Sequence, residues 1–386
     1  MNNPANYDVI IIGSGSIGTP AALYLSQAGL SALVLDSAAS VGQGSNKRAI
    51  GGVRATHSDP AKIALCLRSI EIFSTWKQVY GDDIEWTTGG YSFVAYRVKE
   101  EQTLKNLLKI QQSYGLDIKW LDKQAMAELL PGINTRELLG GTYSPHDGNA
   151  SSLLAIHAIY RQAVKAGAVF QFQEPVSEFL TEGDAITGVK TNKSIYHAPV
   201  VINAAGGHAR PLSQLVNLDI PVNPDTHEAA ITEPVSHFLD PMVVDIRPFP
   251  GSANFYYYQH ITGQIIFCIT PSPSIWGDLT QETSEFLPMA TRRLVELMPR
   301  LANIRVRRAW RGLYPMTPDG FPIIGWAKEL RGYLYAVGMC GQGFMLGPGV
   351  GELLVRIVQA KLTEKDNEIL SYLSPYREFA GQEKLK

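Results

Sequence analysis

Cysteine is scarce: Cys66, Cys268 and Cys340 are the only three in 386 residues, and they lie far apart. Such spacing excludes a disulfide framework and fits a reducing compartment. None forms a CxxC pair or stands at Cys/His ligand spacing, so no metal site is expected. Charge is also sparse, with 18% charged residues against the usual ~25% and a net charge of -2. That balance excludes the electrostatic footprint of a nucleic-acid binder. Long apolar runs are missing, since nothing approaches the ~18 residues of a transmembrane helix. The opening residues MNNPANYD carry neither the basic nor the apolar part of a signal peptide. A soluble cytoplasmic protein is expected.

The hydrophobic fraction of 45% is that of a globular chain, and the length suggests two or three domains of about 150 residues each. Glycine is in excess, at 35 residues without a triplet repeat, which marks loops where the backbone comes close to something.

Tyr7–Gly18 reads YDVIIIGSGSIG, a buried parallel strand entering a tight turn. A helix over Thr19–Ala28, stopped at Gly29, and a strand over Ser31–Asp36 complete a βαβ unit. Residues 37–57 form a long Gly/Ser-rich loop of the kind compact domains keep for function. Asp59-Pro60 opens a helix with an apolar stripe up to Tyr80. Further helices are expected over 101–114, 152–166, 280–300 and 347–361. Val176–Thr191 and Asn254–Thr270 read as hairpins, the second turning at Thr262-Gly263. Apolar strands follow at 199–207 and 333–339. The α/β signature falls in three blocks with β-rich material between them. The expected class is therefore α/β: a Rossmann-like domain with a parallel sheet, carrying an inserted domain of antiparallel sheet plus helix. The boundaries are 1–88, 142–222 and 305–386 for the first and 89–141 and 223–304 for the second.

Gly13-x-Gly15-x-x-Gly18 follows a strand and opens a helix, and Asp36 ends the next strand. Asp36 lies 23 positions after Gly13, near the ~20 between the glycines and a ribose-binding acid. The first glycine makes the turn, the second admits a pyrophosphate and the third packs helix on strand. The anion then meets the free N–H groups and dipole of the helix N-terminus. An acidic residue at position 36 disfavours a 2′-phosphate. NAD and FAD both suit this pattern. The loop GQGSNKRAIGGVR (42–54) can run along an extended ligand, and Gly/Pro clusters recur at 310–325 and 337–351. Three such clusters suggest one cofactor that touches all of them.

Taken together, DVIIIGSGSIG, GSNKRAIGGVR, DGNASS near Asp147, VINAAG, GLYPMTPDGFPIIG and GQGFMLGPGVG resemble the D-amino-acid-oxidase-like FAD superfamily. That group includes glycine oxidase, sarcosine oxidase and the β subunit of dye-linked L-proline dehydrogenase, and the nearest likeness is to the sarcosine oxidase β and proline dehydrogenase β branch. The resemblance implies non-covalent FAD held by Gly13, Gly15, Ser16, Ile17, Gly18, Asp36 and Ser37. Gly44, Ser45, Lys47, Arg48, Gly51 and Gly52 would lie along its middle, Val176 at the adenine side, and Ala205 and Gly206 near the pyrophosphate. Gly341, Gln342, Gly343, Phe344 and Met345 would meet the flavin ring. The implied activity is oxidation of a secondary or N-alkyl α-amino acid such as proline, hydroxyproline, sarcosine or glycine. In this family flavin N5 takes a hydride from the carbon next to the amine, and the resulting imine is hydrolysed.

Arg54 is the expected carboxylate anchor, at the position where related sarcosine oxidases place such an arginine; a guanidinium grips a carboxylate at two points. Tyr256, Tyr258 and His260 alternate along a strand and are expected to share a face over the flavin, with Tyr257 pointing away. Met345 and Tyr314 stand where other members carry a basic residue, which implies a more apolar substrate end. No lysine occurs in Gln264–Thr270, where oxidases of the family usually keep one, so a dehydrogenase is favoured and its electron acceptor is left open. Gly312 or Leu313 stands where some relatives have the cysteine of a covalent flavin. Two alternatives stay open. One is an FAD-dependent 2-hydroxy-acid dehydrogenase using His260 or His57 as base; the other is an electron-relay subunit of a heteromeric complex. A partner subunit or homo-oligomer is compatible with each.

Overall fold

The structure, a computed structural model, describes residues 5–385. All of β1 (Val9–Ile12) is buried, as an apolar run without alternation requires of a central parallel strand. The chain turns into α1 (Gly18–Gln27), which Gly29 closes, and returns as β2 (Ala32–Leu35). The Asp59 side chain caps α2 (Pro60–Tyr80), with Pro60 in the first turn and left-handed Gly81 ending it. Next come β3 (Tyr91–Ala95), α3 (Val98–Ser113), β4 (Lys119–Asp122) and β5 (Gly140–Ser144). Ser151 caps α4 (Ser152–Lys165), which leads to β6 (Val169–Gln171) and β7 (Val200–Asn203). A run of strands follows: β8 (Asn223–Pro234), β9 (Met242–Asp245), β10 (Gly251–Gln259) and β11 (Gln264–Ser272). After α5 (Phe286–Leu297) the chain forms β12 (Val306–Met316), β13 (Ile323–Trp326), β14 (Tyr333–Val337) and α6 (Gly343–Val358).

One sheet has the order β13-β14-β7-β1-β2-β6, parallel except at its β13 edge. Val9 and Ile11 face a core shared with α1, α2 and α6, while Ile10 and Ile12 face a second core containing Phe179, Ile186 and Val189. The last three belong to the hairpin Val176–Glu182/Ala185–Thr191, which lies in a small four-stranded sheet.

The large sheet has the order β12-β8-β11-β10-β9-β3-β5-β4. Its pairs are antiparallel except β9–β3, whose strands come from different stretches of chain that no hairpin joins. β12 pairs with β8 along nearly its whole length and β5 pairs with β3, so residues 306–316 and 140–144 also belong to this sheet. Sheet membership thus crosses the expected boundaries at 141/142 and 304/305. One face packs on α5 through Tyr257, Phe267 and Leu294.

Three helices differ in extent from expectation, the 101–114 helix by starting at Val98. The 280–300 helix forms only as α5, because residues 280–285 offer no apolar face to bury. The C-terminal Gly-rich helix starts at Gly343 rather than 347: burial of Phe344, Met345 and Leu346 overrides the poor propensity of the glycines.

Candidate functional site

A cleft of about 800 Å³ is lined by residues of both sheets, at the carboxyl ends of β1, β2 and β7 where open α/β sheets place their ligands. Gly13 turns the chain at φ +107°, and a Cβ there would sit 2.5 Å from the Ala204 carbonyl oxygen. Nothing stands within 4 Å of the corresponding point at Gly15, which faces open space. No side chain caps α1 or α6; in α1 Thr19 N already donates to the Gly15 carbonyl and Pro20 has no N–H, which leaves Gly18 N for a ligand, while in α6 Leu346 N donates to the Gln342 carbonyl and the N–H groups of residues 343–345 are left for one. Beside α6, the Gln342 side-chain oxygen is buried with no partner. Asp36 is fixed at the end of β2: one oxygen accepts from Ser14 N and Oγ at 2.7 and 2.6 Å, the other from Ala38 N at 2.8 Å.

The loop after β2 is pinned against this frame. Asn46 accepts from Ser16 Oγ at 2.7 Å and donates to the Ser152 carbonyl, while Ser45 Oγ donates to the Leu313 carbonyl at 2.8 Å. Gly44, Ser45, Arg48, Gly51 and Gly52 consequently line the cleft, as do Ser16, Ile17, Ser37, Val176, Ala205, Gly206, Gly343, Phe344 and Met345. Two expected residues do not. Gly18 is tucked against the Gly13 carbonyl, as its helix-packing role requires. Lys47 sits in a 3-10 turn (Asn46–Arg48) that points Asn46 inward and Lys47 outward, where it meets Gln43 at 3.1 Å.

Across the cleft, the Tyr256 hydroxyl lies 2.8 Å from that of Tyr314. Burial raises the pKa of both phenols, so they are neutral donors at ordinary pH. Tyr314 packs against Gly341, where φ is +79° and a Cβ would overlap the ring. Tyr258 shares the face of Tyr256 but does not line the cleft; its hydroxyl donates to the Ile50 carbonyl. His260 lies away from the site, 3.6 Å from the Glu85 carboxylate and bonded to Thr262. Each two-residue step along a strand advances about 7 Å, so a shared face did not put all three residues over one site.

Arg54 lines the cleft and is 6% exposed. Its Nη1 donates to the Thr56 carbonyl and contacts His57 Nδ1 at 3.2 Å, and its Nη2 donates to the Leu385 carbonyl. A guanidinium cannot accept, so His57 Nδ1 is the acceptor and the ring hydrogen sits on Nε2, facing Cys66 Sγ at 3.4 Å. Burial, then the Arg54 charge, hold His57 well below its ordinary pKa. Asp147 accepts from Ala55 N at 2.9 Å and Thr56 Oγ1 at 2.7 Å, and burial pushes its pKa up to about 6.

The sequence reading missed His227. It lines the cleft from β8, its Nε2 lies 3.3 Å from Asp225 Oδ2, and its ring stacks on Tyr314 with centroids 3.7 Å apart. Burial alone would raise Asp225, but hydrogen bonds from His227 and Ile275 N outweigh it and its pKa is lowered. The i, i+2 spacing of Asp225 and His227 on one strand face was the available signal. Cys340 also borders the cleft, but its buried thiol donates to the Gly338 carbonyl and burial raises its pKa, so it packs rather than reacts.

A family profile described as FAD dependent oxidoreductase matches residues 8–357. The chain belongs to that family. Among solved structures, this chain is 30% identical to L-proline dehydrogenase from P. horikoshii, with a TM-score of 0.90 over 97% of this chain and 98% of that one. Glycine oxidase from Geobacillus kaustophilus, at 23% identity, shares the fold with a TM-score of 0.86 over 97% and 99%. Human mitochondrial sarcosine dehydrogenase is 23% identical over 94% of this chain, which spans 41% of that protein. The sarcosine oxidase β subunit of Arthrobacter sp is 23% identical over 92% of this chain and 87% of its own length.

The family's cofactor is FAD, and the residues present suit it: open space at Gly15, two uncapped helix N-termini and the orphaned oxygen of Gln342 all face one cleft. Among the described residues, no lysine lines this cleft and no His/Cys/Asp/Glu group could hold a metal ion. No described helix is long and apolar enough to cross a membrane.

Proposed function

We propose that the chain oxidises a secondary or N-alkyl α-amino acid of the proline, hydroxyproline, sarcosine or glycine type, acting as a dehydrogenase. The observation that carries this reading is a fixed guanidinium, Arg54, in the same cleft as two neutral phenols and a buried Asp–His pair. FAD, when bound, supplies the hydride acceptor for the carbon bearing the amine. Arg54 grips the substrate carboxylate, and Tyr256, braced by Tyr314, hydrogen-bonds the polar end. The amine must give up its proton before the hydride leaves, and His227, oriented by Asp225, takes it. Met345, in the first turn of α6, forms an apolar wall. Tyr258 supports the loop through Ile50 rather than touching substrate, and His260 has no role in the reaction.

The units 1–88, 142–222 and 305–386 carry the cofactor residues and 89–141 with 223–304 face the substrate, to which Arg54, Tyr314 and Met345 reach from the first set. Gly13, Gly15, Ser16 and Ile17 take the pyrophosphate with Ala205 and Gly206, and Gly18 packs the helix behind them. Asp36 and Ser37 take the ribose, Val176 the adenine side, Gly44, Ser45, Arg48, Gly51 and Gly52 the middle, and Gly341 to Met345 the ring. The lack of a lysine among the described residues of the cleft supports an acceptor other than oxygen. Relatives named as subunits, sarcosine oxidase β and a hydrogen cyanide synthase subunit, support a partner chain as recipient of the electrons. We place the protein in the cytoplasm.

One observation favours a second reading, oxidation of a 2-hydroxy acid: the His227–Asp225 pair is the base an alcohol would need. Anaerobic bleaching of the bound flavin separates the two. Proline or sarcosine should bleach it and lactate should not; the reverse result establishes the second reading. Bleaching by none of them leaves the electron-relay role.

A further inference from the structure

The Arg54 side chain is held in part by residues more than three hundred positions away. Leu385 is fully buried in the cluster that includes Tyr91, Phe93, Met242 and Val244, four residues of the cleft wall, and its carbonyl accepts from Arg54 Nη2. Two residues earlier, Glu383 is 3% exposed and bonded through both oxygens. One accepts from Ser58 N at 3.1 Å, Ser58 Oγ at 2.6 Å and Leu385 N at 2.9 Å; the other accepts from Lys62 Nζ at 2.8 Å. Lys62 also donates to the Gly320 carbonyl at 2.8 Å, and Glu383 N donates to the Asp319 carbonyl at 3.2 Å. Lys62, caught between these partners, is itself fully buried. A buried charge is stable only when paired, so this ion pair fixes the segment against α2 and the 319–321 turn.

We infer that residues 381–385 are a positioning strap for the substrate anchor: Glu383, locked on Lys62 and Ser58, sets the Leu385 carbonyl on Arg54. An arginine side chain has four rotatable bonds and sweeps a wide arc unless its donors are engaged from behind. The Leu385 and Thr56 carbonyls and His57 Nδ1 engage Arg54 in this way, leaving the remaining N–H donors of its fork for a carboxylate in the cleft. Preorganisation of this kind appears in substrate affinity, because the ordering is done before binding. Among the described residues, no hydrogen bond or ion pair joins the strap to the cofactor cradle at Gly13–Gly18 and Gln342. The inference rests on the reading of Arg54 as carboxylate anchor.

The test uses the FAD-loaded holoprotein, with L-proline and sarcosine as probes, in anaerobic flavin-reduction titrations that yield an apparent Kd and a limiting rate. Glu383→Ala and Leu385→Asp should raise Kd about tenfold or more, with FAD content unchanged and the limiting rate within about twofold, since small misplacements of a positioning group act on binding geometry. The conservative Glu383→Asp should recover part of the affinity. Arg54→Lys is the reference. If it raises Kd while the strap variants do not, the inference falls and the anchor stands; if it leaves Kd unchanged, the anchor itself is wrong. Loss of FAD, or a fall in limiting rate matching the change in Kd, overturns the strap in favour of a merely structural segment. Should Glu383→Ala fail to accumulate as holoprotein, Leu385→Gly, which keeps the ion pair, carries the same test.

Discussion

The two sides of the cleft are built by opposite means. On the nucleotide side the contacts are backbone: a left-handed turn at Gly13, the free ends of α1 and α6, and a loop held in place by Asn46 and Ser45. On the side we assign to the substrate they are side chains, Arg54, His227, Tyr256 and Tyr314, delivered by strands and loops far apart in the chain. A backbone cradle depends on local sequence and tolerates almost no change at its glycines. A side-chain wall depends on sheet register and tolerates change one function at a time.

The largest expected effect tests the cradle. Gly13→Val demands a β-branched residue at φ +107° and puts its Cβ 2.5 Å from the Ala204 oxygen. Backbone strain of up to about 3 kcal/mol, with the overlap added to it, corresponds to more than about a hundredfold in binding. The flavin-to-protein absorbance ratio of the purified variant should fall accordingly. Full FAD retention in a folded Gly13→Val protein would break the comparison, because the cradle would then not be limited by its backbone.

The same contrast explains what the sequence disclosed. Gly13, Gly15, Gly18 and Asp36 lie within one βαβ unit, so their spacing carries their geometry, and all but Gly18 line the cleft. Lys47 was misplaced because a one-turn 3-10 helix decides direction residue by residue, and composition does not reveal it. On β10, alternation correctly separated Tyr257 from its neighbours but could not say how far along the strand the cleft extends. His227 needed the register of β8 against β12, which sets it over Tyr314. The Leu385 carbonyl is a backbone atom with no sequence signature at all.

The wall should fail differently from the cradle. His227→Gln should lower the limiting rate of flavin reduction by proline or sarcosine about a hundredfold, the usual scale of a lost general base, with FAD content unchanged. Tyr256→Phe removes one hydroxyl and its bond to Tyr314, and should cost about tenfold in kcat/KM, again with full FAD. Rapid-mixing reduction of the holoproteins measures both. A His227→Gln protein reduced at the wild-type rate would remove His227 from the chemistry.

The smallest effect concerns pH, and it belongs to the buried charges behind Arg54. His57 is held neutral with its pKa below the ordinary ~6.5 of the unfolded chain. As pH falls through that value the unfolded state takes up the proton first, so His57 lowers stability on acidification. Asp147 works the other way: its folded pKa, about 6, lies above its unfolded value, so the folded state takes up the proton first and stability rises as pH falls through that range. Glu383, held below the ordinary glutamate value, loses its contribution only at lower pH. Between pH 6.5 and 5 the two effects oppose each other, each limited to about 1.4 kcal/mol per pH unit, and the wild-type melting temperature should change little. His57→Gln should unmask Asp147 and melt higher at pH 5 than at 6.5; Asp147→Asn should unmask His57 and melt lower. At 386 residues a 1 kcal/mol change moves the midpoint by only about 1 °C, so the opposite signs of the two slopes, read by scanning calorimetry, carry the test. Slopes of the same sign in both variants would mean that the groups around Arg54 do not set the acid response of the wall.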